Sequence, residues 1–160
     1  AWLIFDVGQN MKIAKACVED AGALTEIAFA AKRHWDYPES WIRRWEEALT
    51  ITPEYVVENP TFVATVDGEF VGFCAVQIEG GEAVLDHLCV LPSFKGRGVG
   101  RALFQHAEEV ARGSGVTRMT IVGDPHAEPF YARMGTRLYG REPASMDGEE
   151  RFLPLLEKTL

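Results

Sequence analysis

The stretch that most limits how this chain can fold is Val84-Leu-Asp-His-Leu-Cys-Val-Leu-Pro-Ser-Phe-Lys-Gly-Arg-Gly-Val-Gly-Arg101. An apolar strand runs into a glycine-rich turn. The turn opens a helix, because Leu103, Phe104, Ala107 and Val110 recur behind it at helical spacing. A helix start leaves backbone N–H groups without partners and carries the positive end of the dipole. Glycines at 96, 98 and 100 let that backbone lie close against a ligand, which makes the turn suited to a pyrophosphate. The side chains agree. From His87 to Ala107 there is no Asp or Glu, while Lys95, Arg97 and Arg101 are cationic, in a chain whose net charge is −8. A P-loop is excluded, since no Gly-Lys followed by Ser or Thr stands at the required spacing. A dinucleotide fingerprint is excluded too. Arg101 stands where its third glycine would be, and Gly123, not an acidic residue, follows Ile121-Val122.

The rest of the chain supplies a strand Ile13–Val18, then a helix capped by Asp20 with Leu24, Ile27, Ala28 and Ala31 on one face. Pro38 starts a second helix through Trp41, Ile42, Trp45 and Leu49. Pro53 and Asn59-Pro60 bracket a loop. Thr61–Val66 and Phe70–Ile78 form a hairpin about Asp67-Gly68, and Gly80-Gly81 turns into Ala83–Val90. After the helix from Gly98 to Ala111 come a strand Arg118–Val122, a short helix Ala127–Met134, and strands Thr136–Tyr139 and Phe152–Leu156. The intervening Glu142–Glu150 is polar and turn-rich. Hairpins beside strand–helix–strand crossovers predict an α/β (α+β) fold with a mixed, mostly antiparallel central sheet flanked by helices.

A chain of 160 residues suits one domain, expected over residues 11–160. Met11 reads as a natural start, so residues 1–10 are expected to be an N-terminal extension or expression remnant. The apolar run Ala1–Phe5 is too short to span a membrane. The acidic balance argues against nucleic acid. Cys17, Cys74 and Cys89 have no CxxC spacing and read as reduced core residues of a cytoplasmic protein, with no metal site.

Lys95-x-x-Gly98-x-Gly100 resembles the Gln/Arg-x-x-Gly-x-Gly/Ala signature of the GCN5-related N-acetyltransferases (GNAT), with Lys in the first position. Downstream, Asp124-Pro-His-Ala-Glu-Pro-Phe-Tyr-Ala-Arg-Met-Gly135 resembles the family's Asn-Ala-x-x-Phe-Tyr-x-x-x-Gly-Phe segment. Here His126 takes the Asn position and Thr136 follows the glycine. The two segments stand one helix and one strand apart, as in the family, and the resemblance covers about residues 12–160.

The resemblance implies acetyl-CoA as cofactor, bound by the backbone of Leu88, Cys89 and Val90, by Lys95, Gly96, Arg97, Gly98, Val99, Gly100 and Arg101, and by His126 and Tyr131. It implies an acetyl group moved to a primary amine of a small molecule or peptide by direct attack. Tyr131 is the candidate acid for the leaving thiolate, since phenol and thiol acidities are close enough for transfer. Asp86 is the candidate base, acting through water. Strand alternation would put Val84, Asp86, Leu88 and Val90 on one face and Leu85, His87 and Cys89 on the other; His87 reads as a structural histidine. His34 and Trp35, in the link between the first two helices, are the candidate acceptor-binding residues. Trp41 and Trp45 read as a buried helix face. Members of the family are often dimers, so a homodimer is among the assemblies the resemblance implies. The competing readings are a non-catalytic acyl-CoA-binding sensor of the same fold, an unliganded interaction domain, and transfer to a hydroxyl.

Overall fold

The computed structural model describes residues 3–6 and 10–160, with side chains from residue 10 onward. Eight strands form one sheet: β1 (Leu3–Asp6), β2 (Asn10–Lys15), β3 (Thr61–Val66), β4 (Glu69–Glu79), β5 (Glu82–Val90), β6 (Arg118–Val122), β7 (Arg137–Pro143) and β8 (Phe152–Thr159). Their spatial order is β1-β2-β3-β4-β5-β6-β8-β7. Every neighbouring pair is antiparallel except β5 with β6. The expected mixed, mostly antiparallel sheet is therefore present. The reading of residues 1–10 as an appendage falls partly on 1, 2 and 7–9, outside the described residues. Within them, Leu3–Asp6 pairs along β2 as an edge strand.

Two helices cover the sheet, one on each face. α1 (Ala21–Arg33) turns Leu24, Ile27 and Ala28 onto Val63 and Phe73. On the other face, α5 (Val99–Gly113) turns Leu103, Phe104, Ala107 and Ala111 onto Val71, Cys74, Val76 and Leu85. Phe73 and Phe104 are wholly buried, each worth about 1.5–3 kcal/mol of transfer free energy. Asp20 does not cap α1 with its side chain. Its carboxylate accepts from the Cys17 amide at 2.8 Å, closing the short turn before the helix.

The second predicted helix is two: α2 (Glu39–Arg44) and α3 (Glu46–Leu49), broken at Trp45. The predicted loop after Pro53 is a helix, α4 (Pro53–Glu58), in which Thr52 accepts from the Tyr55 amide as N-cap and Pro53 occupies the first turn. Pro stops a helix in its interior but suits its first turn, where no N–H is needed. The last helix is α6 (Glu128–Arg133). Of the cysteines, Cys74 and Cys89 sit within the sheet layers as expected, but Cys17 is exposed; all three are free thiols.

One irregularity shapes the site. Ala75 pairs with His87 and Val76 with Leu85, so Asp86 is an extra residue bulged out of β5. The bulge overturns the expected alternation. Leu85 now shares a side with Leu88 and Val90 in the α5 layer, while Cys89 joins Phe73 in the α1 layer. A bulge re-aims side chains and bends its strand, and here it frees Asp86 from both layers.

Candidate active site

β5 and β6 pair only at Ala83–Met119 and Val84–Thr120. From Leu85 onward β5 keeps β4 alone, and from Ile121 onward β6 keeps β8 alone. The two strands splay, and the edge of β5 from Leu85 to Val90 carries backbone groups with no strand partner on that side. The opening is a cleft of about 610 Å³, lined by Leu85–Val90 on one wall and Ile121–Asp124 on the other. α1 closes one end through Ala28, Ala31 and Lys32, with Trp35 and Leu49. The glycine turn and α6 close the other.

The glycine turn is built for an anion. Gly96 and Gly98 have φ of 75° and 87°, left-handed values that a side chain rarely tolerates, and Gly98 is the residue from which α5 starts. Among the described residues, none of the amides from 96 to 101 donates to a backbone acceptor, the first such bond being Ala102 to Gly98. Amides left free at a helix start are the kind of group that can hold an anion such as a pyrophosphate. Gly100 has a different reason. A Cβ there would stand 3.2 Å from the Phe130 ring, so this glycine lets α6 pack on α5.

The predicted site residues distribute as follows. Leu88, Cys89, Val90, Lys95, Gly96, Gly98, Gly100, Arg101, His126, Tyr131, Asp86 and Trp35 all line the cleft. Val99 turns its side chain into the core, leaving only its backbone for the turn. Arg97 stacks on Phe94 and does not line the cleft. His34 also stands outside it, edge-on to Trp35 at 4.7 Å between ring centres. Trp35 itself is a bridge. Lys95 lies 3.6 Å from its ring centre, and His126 stacks on it at 4.8 Å. The first helical link, the glycine turn and the start of α6 thus meet over the cleft.

Tyr131 is 6% exposed, wedged between Phe104 and Phe130. Its hydroxyl has no protein partner among the described residues, and burial pushes its pKa well above the ordinary phenol value, so it is protonated near neutrality. Thr136 fixes the helix that carries it, its hydroxyl donating to the Tyr131 carbonyl at 2.8 Å. That bond explains a threonine where the family's pattern has an aromatic. Burial likewise pushes the Cys89 thiol, on the facing strand, up to about 12, which keeps it protonated and unreactive.

Asp86 accepts from the Tyr55 hydroxyl at 2.5 Å, and His87 Nε2 lies 3.5 Å from the same oxygen, Oδ2. Oδ1 has no protein partner among the described residues. Burial holds the His87 imidazole below its usual value despite the Asp86 charge, so His87 is neutral near pH 7. It packs on Phe73 and Tyr55 as a structural histidine would.

Several residues of the site carry no signal that marks their role in the sequence. Asp124, two residues beyond β6, accepts from Lys32 Nζ at 2.7 Å, from the Tyr37 hydroxyl at 2.9 Å and from the His126 amide at 2.9 Å. Burial alone would raise its carboxyl; the Lys32 ammonium and these donors outweigh it and hold the group below the ordinary range. Lys32 also lies over the rings of Trp45 and Tyr37, at 4.6 and 5.3 Å. Arg151 sits on the same cluster, 5.3 Å from the Tyr37 ring, 5.5 Å from Trp41 and 5.2 Å from Trp45. Tyr37, Trp41 and Trp45 are therefore filled by the protein's own cations. Trp41 is buried as expected, whereas Trp45 is half-buried in this cluster. The Trp41 indole and Arg44 both bond Asp147, which pins the loop between β7 and β8 to α2.

A sheet that splays at its single parallel pair, beside a helix opened by a glycine cradle, defines an acyl-CoA-type transferase architecture. The chain belongs to the acetyltransferase (GNAT) family, whose model matches residues 23–136. It is similar to an uncharacterised N-acetyltransferase of Methanocaldococcus jannaschii, 30% identical over 82% of this chain and 63% of that protein. It is 31% identical to a peptidyl-lysine N-acetyltransferase of Salmonella typhimurium, over 69% of this chain and 71% of the other. Against a glucosamine 6-phosphate N-acetyltransferase of Trypanosoma brucei and a streptothricin acetyltransferase of Streptomyces lavendulae, the chain spans about half of the relative, 56% and 51%. Among solved structures, a GCN5-related N-acetyltransferase from Rhodopseudomonas palustris superposes with a TM-score of 0.76 at 26% identity, covering 92% of this chain and 94% of that one. An N-acetyltransferase from Thermoplasma acidophilum, in complex with coenzyme A, superposes with a TM-score of 0.73 at 21% identity, covering 94% and 99%. No helix among the described residues is long and apolar enough to cross a membrane.

Proposed function

We propose that this protein is an acetyl-CoA-dependent N-acetyltransferase that moves an acetyl group to a primary amine by direct attack. The observation that carries the reading is the coincidence of two features at one cleft: a glycine turn whose amides from 96 to 101 donate to no backbone acceptor among the described residues, and at Tyr131 a buried side chain whose hydroxyl has no protein partner among them, beyond the splay of β5 and β6. A protein that only binds the cofactor needs the first and not the second.

The residues present fit the cofactor. The amides of 96–101 and the cations Lys95 and Arg101 would hold its pyrophosphate, and the free edge of β5 from Leu88 to Val90 would take the amides of its arm and the thioester carbonyl. His126, at the start of α6, lines the same side. When bound, acetyl-CoA supplies the activated acyl group. Backbone donors aimed at the carbonyl oxygen are commonly worth about 10²–10³ in rate. Tyr131 Oη would give its proton to the departing sulfur; it holds that proton near neutrality, though burial makes it a weaker donor than an exposed phenol. Asp86 Oδ1 is the open acceptor for an ammonium proton, through water, on the acceptor side. Trp35, with Ala28, Ala31 and Leu49, bounds the acceptor's body; His34 acts behind Trp35, not in contact. We place the protein in the cytoplasm and keep a homodimer as one of its assemblies to test.

The test is thermal melting with acetyl-CoA, with dephospho-CoA and NAD as controls. At 100 times its dissociation constant a ligand stabilises by about 2.7 kcal/mol, several degrees for a domain of this size. A shift with acetyl-CoA and none with NAD is expected. No shift at millimolar acetyl-CoA would end the reading.

A further inference from the structure

The acceptor half of the cleft has an unusual charge arrangement. The carboxylates of the cleft are Asp86 and Asp124, and the cation that α1 brings to it is Lys32. Lys32 is committed: it bonds Asp124 at 2.7 Å and lies over Trp45 and Tyr37. Asp124 is saturated by three donors. Asp86 is not. Its neighbours, Tyr55 and His87, hold Oδ2 without bringing a formal charge, and Oδ1 is open. Of the other cations of the cleft, Lys95 and Arg101 stand on the glycine turn and α5, where the cofactor's phosphates would claim them, and Arg133 stands at the far end of α6. The same cleft is lined from α1 and α3 by Ala28, Ala31 and Leu49, apolar side chains that offer an anion neither a charge nor a donor.

We infer that the acceptor binds as an ammonium ion against Asp86, that it bears no carboxylate or phosphate beside the reacting nitrogen, and that Tyr55 is the positioning residue that fixes Asp86 for it. The inference rests on the acetyl-transfer reading. An opposite charge within about 4 Å is strongly favoured in a partly desolvated cleft, and a like charge is opposed as strongly. A free amino acid or sugar phosphate would bring its anion to a site that offers no cation. An amine with a neutral or cationic body, such as an α-amide or a peptide N-terminus, meets only the attraction. Tyr55 does not line the cleft. It acts from α4 through one bond, and that bond, with the bulge, sets which carboxylate oxygen faces the acceptor.

The test uses matched probes: a set of amino acids, each as free acid and as α-amide. Turnover is followed by thiol release from acetyl-CoA, and binding by calorimetry on the protein saturated with coenzyme A. The amides are expected to exceed the acids at least tenfold in kcat/KM, with tighter binding in the calorimeter. In Asp86→Asn the amide preference is expected to collapse to about threefold or less. In Tyr55→Phe, which keeps the ring and its packing, KM for amides is expected to rise about threefold to tenfold, the net size of one ordinary hydrogen bond, and the amide-to-acid ratio to fall, with acetyl-CoA affinity little changed. A purely structural Tyr55 would leave the amide-to-acid ratio where it was, and that result overturns the positioning role. Acids turned over as well as amides, or neither series bound, overturns the acceptor class. Acetyl transfer itself is judged separately, since coenzyme A binding is measured before any amine is added.

Discussion

Replacing Asp124 with alanine should cost this protein about 3 kcal/mol, because three kinds of support end on one carboxylate. The cap to the His126 amide at 2.9 Å is worth about 1 kcal/mol. The Tyr37 bond adds about 1 kcal/mol. Breaking a fully buried ion pair costs about 3–5 kcal/mol. Lys32 and Asp124 are 23% and 14% exposed, so water recovers much of that and about 1–2 kcal/mol is the fitting share. For a domain of this length the total lowers Tm by about 6–12 °C. Urea unfolding read by tryptophan emission and thermal melting measure it, and Asp124→Asn, which can keep the cap, should lose less. Because the folded carboxyl is held below its ordinary value of 3.8, its charge stabilises the fold fully above that value. The contribution is lost as pH falls through the folded pKa. The difference in stability between wild type and Asp124→Asn should therefore be constant above about pH 5 and shrink below pH 4. Two results refute the reasoning: a loss under about 1 kcal/mol in Asp124→Ala, or additivity within about 0.5 kcal/mol between Asp124→Ala and Lys32→Met, since contacting partners must couple.

Two further substitutions test the molecule elsewhere. Tyr131→Phe should lower turnover at least tenfold with acetyl-CoA affinity unchanged, measured by thiol release and by calorimetry; unchanged turnover would remove the phenol from the mechanism. His106 on α5 is buried against Phe62 with neither ring nitrogen partnered, so His106→Leu should stabilise the protein by about 1 kcal/mol. Burial holds the His106 imidazole below its usual 6.5, against the pull of Glu109. The unfolded chain therefore takes up a proton first, and wild-type stability falls as pH drops below about 6.5. In equilibrium urea unfolding the leucine variant should lose part of that slope; an unaltered slope would show that His106 does not titrate with unfolding.

What the residues announced by themselves, and what they did not, divides along a physical line. Strands β3 and β6 begin and end where apolar alternation and the Asp67-Gly68 turn place them, because those signals act within a few residues. The glycine cradle is equally local: a positive φ at Gly98 and the free amides beyond it follow from the chain's own sequence. α4 was local as well, in its Thr52-Pro53 cap, but Pro53 weighed as a breaker hides it. The bulge at Asp86 is of another kind. It exists only in the register between β4 and β5, and no pattern within β5 predicts it. The same holds for the aromatic cluster. Tyr37, Trp41 and Trp45 invite a foreign cation until Lys32, from the preceding helix, and Arg151, more than a hundred residues on, are seen to occupy them. Gly100 looks like part of the anion site until Phe130 is found against it. Most of the residues proposed for the cofactor lie on one continuous stretch, Leu88 to Arg101, so they are legible from the chain. Those proposed for the acceptor come together from α1, α4, β5 and β6, so a carboxylate such as Asp86, with one oxygen held by Tyr55 and the other without a protein partner among the described residues, appears only when the chain is folded.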